Sequence, residues 1–252
     1  MAIDSHMHIN SLVLKDSKKA ILNINNNMYL KNVINIGLNI KTSKESIDIA
    51  KYNKKFYSSV GIHPLYIDSE NCDEVLEIAN NEKVVAIGEI GLDSNHDNIE
   101  LQKIYLIKQI LIANELKLPV IIHSNNMNKE VIEIFEKYAK PQYGCVFHCF
   151  QPNIEDLQYL IHNNFYISFA GRITYKTAKK SHEIANLVPD NLFMVETDSP
   201  YIAPYPYSKD CINESSNINL IINKLATIKN TTYKTIENIS DINKKQLFIK
   251  LK

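Results

Sequence analysis

The chain has 252 residues, 45% of them hydrophobic, and its 28 Lys+Arg balance 28 Asp+Glu. This composition excludes a disordered chain, and zero net charge argues against a protein that grips long duplex nucleic acid through many phosphates, leaving only a local nucleic-acid site. No apolar run reaches the roughly 18–20 residues of a transmembrane helix, and the first residues, Met1-Ala2-Ile3-Asp4-Ser5-His6, lack the pattern of a secretion signal, so a cytoplasmic protein with no membrane partner is expected.

Short apolar runs rich in Val, Ile and Phe recur at 2–9, 32–38, 56–62, 84–92, 119–123, 145–150, 165–170 and 192–196. Each has the usual length of a strand. Stretches with helical spacing separate them. The clearest is 100–118, with apolar residues at Leu101, Ile104, Tyr105, Ile107, Ile110, Leu111 and Leu116, stopped by Pro119. Residues 128–138, 153–162 and 178–187 read likewise. A strand followed by a helix, eight times over, predicts an α/β chain closed as a (β/α)8 TIM-type barrel. Runs such as Val84-Val85-Ala86-Ile87, apolar on both faces, suit a sheet covered on both sides. Beyond Pro206 no further strand is expected; 213–228 and 235–250 read as extra C-terminal helices that close the outer ring. With no linker or repeat, residues 1–252 read as a single domain. The four cysteines form no Cys-x-x-Cys pair, and Cys145 and Cys149, facing away from His148 if 145–150 is a strand, read as small buried hydrophobes.

The polar residues gather at the C-terminal ends of the runs. They are His6 and His8, His63, Glu89 with Asp93, His123, His148, and Glu196 with Asp198. Active sites of such barrels lie at that end. His6 and His8, two apart on a strand, point to one face and suit a single ion. A carboxylate such as Glu89, buried among Val, Ile and Gly, needs a partner or a metal. Four imidazoles and two carboxylates exceed one four-coordinate ion and suit two divalent ions sharing a carboxylate, with Glu89 as the bridge. Imidazole favours Zn²⁺, Mn²⁺, Fe²⁺ or Ni²⁺ over Mg²⁺, and the identity stays open among Zn²⁺, Mn²⁺ and Mg²⁺. Glu196, on the Asp198 face, and Asp4, on the His6 face, are expected to stand behind the ligands as hydrogen-bond partners.

Asp4-Ser5-His6-Met7-His8, Gly61-Ile62-His63-Pro64, Gly88-Glu89-Ile90-Gly91-Leu92-Asp93, Val120-Ile121-Ile122-His123-Ser124, His148-Cys149-Phe150 and Glu196-Thr197-Asp198-Ser199-Pro200-Tyr201 together resemble the motifs of the TatD family of metal-dependent deoxyribonucleases, in the family's order. The resemblance spans residues 4 to about 204. It implies an amidohydrolase-type barrel, metal ligands at His6, His8, Glu89, His123, His148 and Asp198, and His63 beside the site; Gln102, Gln109 and Asn243 fit as well. The chain departs from the family's usual arginine at Asn125, its usual tyrosine at Ser94, and its basic stretch at residues 209–215. All three lie outside the ligand set and bear on substrate preference and phosphate contacts.

The implied activity is metal-dependent cleavage of phosphodiester bonds by a water-derived hydroxide. Glu89 and Asp198 are the catalytic carboxylates, Asp198 accepting the water's proton, and His63 and Arg172 contact phosphate. Phe150, Tyr201 and Tyr205 are candidates to stack on bases at the rim. A pit-shaped mouth and neutral charge suit exonuclease action on single-stranded or frayed DNA ends, with no obligate protein partner. The alternatives are an amidohydrolase-type enzyme acting on an amide, lactone or C–N bond, and a binding protein without catalysis. The first often bridges its ions with a carboxylated lysine on the fourth strand, where this chain has Glu89.

Overall fold

The computed structural model describes residues 1–11, 13–14, 16–150, 153–208 and 210–251. Eight strands, β1 Ala2–Met7, β2 Leu30–Ile36, β3 Phe56–Val60, β4 Val84–Asp93, β5 Val120–Asn125, β6 Cys145–Phe147, β7 Tyr166–Phe169 and β8 Phe193–Val195, pair in sequence order in one parallel sheet. Helices α1 Ser17–Asn26, α2 Ile40–Tyr52, α3 Asp73–Ala79, α4 Ile99–Leu116, α5 Asn128–Lys137, α6 Ile154–His162 and α7 Lys179–Leu187 follow the first seven strands. α8 Ile218–Ile228 packs on β1 and β8 and completes the ring. This is the expected TIM-type barrel. All ten residues of β4 are buried, as a strand covered on both faces requires.

Two apolar layers hold the barrel. The outer one lies between strands and helices and includes Val33, Val60, Ile87, Ile122, Leu106 and Ile110. The inner one joins Ile3, Ile34, Val85, Ile121, Val146 and Met194 to Leu247, Phe248 and Leu251. The tail therefore does more than close the outer ring. α8 does that, whereas α9 (Tyr233–Leu247) and the residues after it plug the inner layer at the end opposite the polar strand ends, where the barrel's apolar filling needs a cover.

α4 does not bury all of its apolar residues. Ile104 and Leu111 are exposed, while Gln102, Leu106, Gln109, Ile110 and Ala113 are buried. The two glutamines earn that position by pairing with backbone. Gln109 accepts from Ile62 N–H (2.7 Å) and donates to Ile62 C=O (3.0 Å), and Gln102 does the same to Asp93 (2.8 and 3.1 Å). Each amide satisfies a strand end that has run past its ladder.

The seam between β1 and β8 is closed by backbone and side chains together. A parallel bridge joins Met7 to Ser199, His8 N–H donates to Ser199 C=O (2.7 Å), and Asp198 N–H to His6 C=O (2.9 Å). Deeper in the seam the Asp4 carboxylate accepts from Thr197 N–H (2.9 Å) and Thr197 O–H (2.6 Å). Lys244 of α9, fully buried, donates to Ile3 C=O below. Burial pushes the Asp4 carboxyl up to about 6, although Thr197, Ser215 and Lys244 pull the other way.

Two outcomes are expected from Asp4. Asp4→Ala strands two buried Thr197 donors and should cost about 2–5 kcal/mol in denaturant unfolding. Because the folded carboxyl titrates above the unfolded one, the native state binds the extra proton between about pH 4 and pH 6. Its contribution to stability is therefore lost as pH rises through that window, by about 3 kcal/mol. Unfolding free energies measured across it should fall more steeply for the native chain than for Asp4→Asn; parallel curves would contradict the assignment.

Candidate metal centre

β1, β4, β5 and β6 end at the same rim, where His6 of β1, His8 just past it, His123 of β5 and His148 just past β6 converge on Glu89 of β4. The carboxylate is buried and its two oxygens face different imidazoles. Oε2 lies 3.3 Å from His6 Nε2 and 3.7 Å from His8 Nε2. Oε1 lies 2.7 Å from His123 Nδ1, 2.9 Å from His148 Nε2 and 3.5 Å from His63 Nε2. Asp198 completes the first side, with Oδ1 3.3 Å from His8 Nε2 and 3.7 Å from His6 Nε2. Three groups of potential ligands overlap here: His6, His8 and Asp198; His6, Glu89 and His148; His63, Glu89 and His123.

Backbone geometry explains the convergence. Gly91 has φ 154°, and a Cβ there would meet the His123 carbonyl oxygen at 1.8 Å, so only glycine lets β4 lie this close to β5. Asp198 is left-handed at φ 54°, a conformation that Asp tolerates better than most residues. Asn213 holds that bend by donating to Thr197 C=O (2.9 Å) and Tyr201 C=O (2.8 Å).

The donor set fits divalent metal. Ligands about 2.0–2.2 Å from an ion stand roughly 3–3.5 Å from each other. The His6 and His8 Nε2 atoms are 3.1 Å apart, and their spacing to Glu89 and Asp198 is of that order. A cation between them removes the repulsion of converging lone pairs and carboxylates. Without it, protons substitute. Burial opposes charge on His148 and His123, but Glu89 and Glu196 hold His148 well above its ordinary range, and Asp93 and Glu89 raise His123. Burial would raise both carboxyls, yet the surrounding imidazoles hold Glu89 well below the usual carboxylate range, and His8, His148 and His6 lower Asp198. Burial lowers His6 outright.

His63 behaves differently. Its Nδ1 accepts from Leu65 N–H (3.2 Å), which leaves the proton on Nε2. Burial pushes its pKa down to about 4, so near neutral pH the ring is uncharged and presents an N–H donor to the site.

Asp93, one of the polar residues at the strand ends, has a role that the sequence did not assign it. Its Oδ2 lies 2.9 Å from His123 Nε2, and its Oδ1 accepts from Asn125 Nδ2 at 3.0 Å. The bond to His123 comes first among the causes that draw the Asp93 carboxyl down to about 2. It orients the imidazole with Nδ1 toward Glu89. The signal was the carboxylate four residues after Glu89 on the same strand face. Asn125, where the family resemblance led one to expect arginine, is engaged in holding Asp93. Ser94, the second departure, is exposed and donates its backbone N–H to Asn125 C=O. In the third, Asn213 serves the Asp198 bend; Lys209 lies outside the described residues.

Glu196 stands behind the site: Oε1 accepts from Ser168 O–H (2.6 Å) and Cys149 N–H (2.9 Å), and lies 3.4 Å from His148 Nδ1, within ion-pair distance but outside hydrogen-bond geometry. Asp4 does not. Its carboxylate serves Thr197, and the Nδ1 atoms of His6 and His8 are buried without a partner among the described residues. Of the rim candidates, Tyr201 is 39% exposed, edge-on to His8 at 5.6 Å, and Tyr205 is exposed. Phe150 is only 8% exposed and packs edge-on against Phe147, so it belongs to the core and is not available to bases. Arg172 is exposed just beyond β7. β6 ends at Phe147, so His148 and the half-buried Cys149 lie past the strand. Asn243 is far from the cluster's chemistry: it donates to Phe193 C=O at the start of β8.

A family described as TatD related DNase matches residues 3–249. A metal-dependent hydrolase of Buchnera aphidicola subsp. Baizongia pistaciae is 39% identical over 214 residues, covering 81% of this chain and 80% of the relative. The 3'-5' ssDNA/RNA exonuclease TatD of Escherichia fergusonii is 28% identical over 223 residues, covering 84% and 85%. The solved structure of a TatD homolog from Escherichia coli K12 superposes with a TM-score of 0.89 at 23% identity, covering 98% of each chain.

Asp93→Ala should weaken divalent-metal affinity about 10–100-fold in competition with a chromophoric chelator, while the circular dichroism spectrum stays unchanged. Metal must also displace the protons held on His123 and His148. Titration calorimetry near pH 7 in buffers of different ionisation heat should therefore report release of about one to two protons; a heat independent of buffer would contradict it.

Proposed function

The chain belongs to the TatD related DNase family of metal-dependent hydrolases, and on that premise we propose that it is a phosphodiesterase that trims single-stranded or frayed DNA ends at a two-ion centre. The observation that carries the reading is the division of donors about Glu89: His6, His8 and Asp198 on the Oε2 side, His123 and His148 on the Oε1 side. The bridge is a carboxylate and not a lysine, which favours this reading over an amide- or lactone-cleaving barrel. Two divalent ions held there, Zn²⁺, Mn²⁺ or Mg²⁺, would lower the pKa of a coordinated water and offset charge on the phosphoryl oxygens.

The chain's own groups supply the rest. Asp198, kept ionised and turned toward His8 through Oδ1, has its other oxygen for the proton of the attacking water. His63, neutral with its proton on Nε2, donates to a phosphoryl oxygen without competing for metal. Tyr201 beside His8 offers a ring to the terminal base, worth about 1–3 kcal/mol. The rim is built of loops around a buried cluster. Such a pit admits a strand end more readily than a stiff duplex, and the Escherichia fergusonii relative's name describes action on single strands from an end.

Hydrolysis of bis(p-nitrophenyl) phosphate and of linear single-stranded DNA should vanish with chelator and return with metal, and covalently closed circular DNA should be spared. Turnover of an amide or lactone with no phosphodiester cleavage would overturn the reading. Glu89→Ala should lose about a thousandfold or more in turnover with its fold intact; full activity in the folded variant would rule out the shared-carboxylate centre.

A further inference from the structure

Beyond the metal centre, the segment after β7 combines charge, rigidity and shape in a way the hydrolytic chemistry does not require. Residues 157–182 contain no Asp or Glu, yet Arg172, Lys176, Lys179 and Lys180 fall within nine residues. All four are exposed. Among the described residues, none of them has a carboxylate within ion-pair distance, whereas many other surface lysines do, Lys44, Lys103, Lys137 and Lys234 among them. In a chain of zero net charge this is a local concentration of uncompensated positive potential.

Three of the cations, Arg172, Lys179 and Lys180, line a groove of about 710 Å³ together with Tyr175, Thr177 and Ile202. One wall follows directly from β7, and the other includes Ile202, four residues past the metal-centre residue Asp198. Its walls are fixed to each other. A Cβ on Gly171 would meet the Ile202 carbonyl oxygen at 1.9 Å, so only glycine permits the contact. Tyr205 N–H donates to Thr174 Oγ1 (2.7 Å), Thr174 O–H to Gly171 C=O (2.6 Å), and Tyr175 O–H to Ala203 C=O (2.8 Å). Lys176 Nζ stands 5.9 Å from the centre of the exposed Tyr205 ring, placing a cation and an aromatic face side by side. At the far end Glu155 and Glu183 line the next cleft, with Lys180 on the ridge between the two, and their charge closes the basic track there.

We propose that this groove is a phosphate track that holds the single strand several nucleotides from its cleaved end, with Arg172, Lys176, Lys179 and Lys180 against successive phosphates and Tyr205 against a base. Exposed cations on a rigid wall beside an aromatic ring suit a flexible polyanion with π-faces. The proposal rests on the phosphodiesterase reading for its direction, since the strand must arrive at the metal centre, and it adds a requirement for length. Short diesters fill the pit and never reach the track; strands of several nucleotides engage both.

The test compares the native chain with Lys179→Ala/Lys180→Ala and with Lys179→Arg/Lys180→Arg. Binding of a fluorescent twelve-nucleotide phosphorothioate oligothymidylate is followed by anisotropy as salt is varied, and metal-dependent hydrolysis of bis(p-nitrophenyl) phosphate is followed alongside. Four phosphates give a slope of log affinity against log salt of about −2.8 for the native chain, and the alanine pair should flatten it by about 1.4 and weaken binding about tenfold at low salt. The arginine pair should restore both, and small-diester turnover should be equal in all three. Equal affinity and slope in native and alanine proteins would overturn the track. If the native chain fails to hydrolyse the small diester while the alanine pair still weakens strand binding, the hydrolytic reading fails and the track stands.

Discussion

A carboxylate without solvent is the constraint on which the rest depends. Glu89 lies within a strand whose ten residues are all buried, and several kcal/mol would be lost if its charge had no counterpart. The barrel meets the demand by bringing the ends of β1, β5 and β6, and the turns after β3 and β8, around one carboxylate. Parallel closure makes this possible, since only a barrel points eight C-terminal ends at one axis. Glu89 in turn favours the charged form of the imidazoles around it: it helps hold His148 above its ordinary range, whereas at His6 burial and the neighbouring His148 outweigh it. A divalent cation satisfies the whole group at once.

Strand ends at such a rim have run out of neighbours, and polar side chains take over from the ladder. Gln102 and Gln109, two turns apart on α4, grip the peptides at Asp93 and Ile62. Asn213 grips the bend after β8, Glu196 the turn after β6, and Asp4 the seam. These bonds are buried and doubly satisfied, which gives them well-defined geometry. A metal centre needs its ligands held within a few tenths of an ångström, and here the hold comes from amides and carboxylates reaching backbone rather than from loop sequence.

The same device extends outward. The Thr174, Tyr175 and Gly171 contacts that tie the turn after β7 to the loop after β8 keep the basic stretch after β7 in a fixed relation to Asp198. Chemistry at the bottom of the pit and charge at its edge are thus mounted on one framework.

The order and rim position of His6, His8, Glu89, His123, His148 and Asp198 were determined by sequence alone. Alternation along a strand sets which face a side chain takes, and strand–helix repetition sets which end of the barrel it reaches; both are local rules. The eight strands were legible for the same reason. Partner choice was not. Asp4 looked like a support for His6 and instead bonds Thr197, 193 residues away; Asp93 looked like a strand terminus and instead orients His123. The buried face of α4 carries two glutamines because backbone groups of other strands await them, which hydrophobic spacing does not register. Phe150 points into the core because β6 stops at Phe147 and the chain turns. Each was decided by which groups closure of the barrel left buried without a partner, and closure is a property of the whole chain.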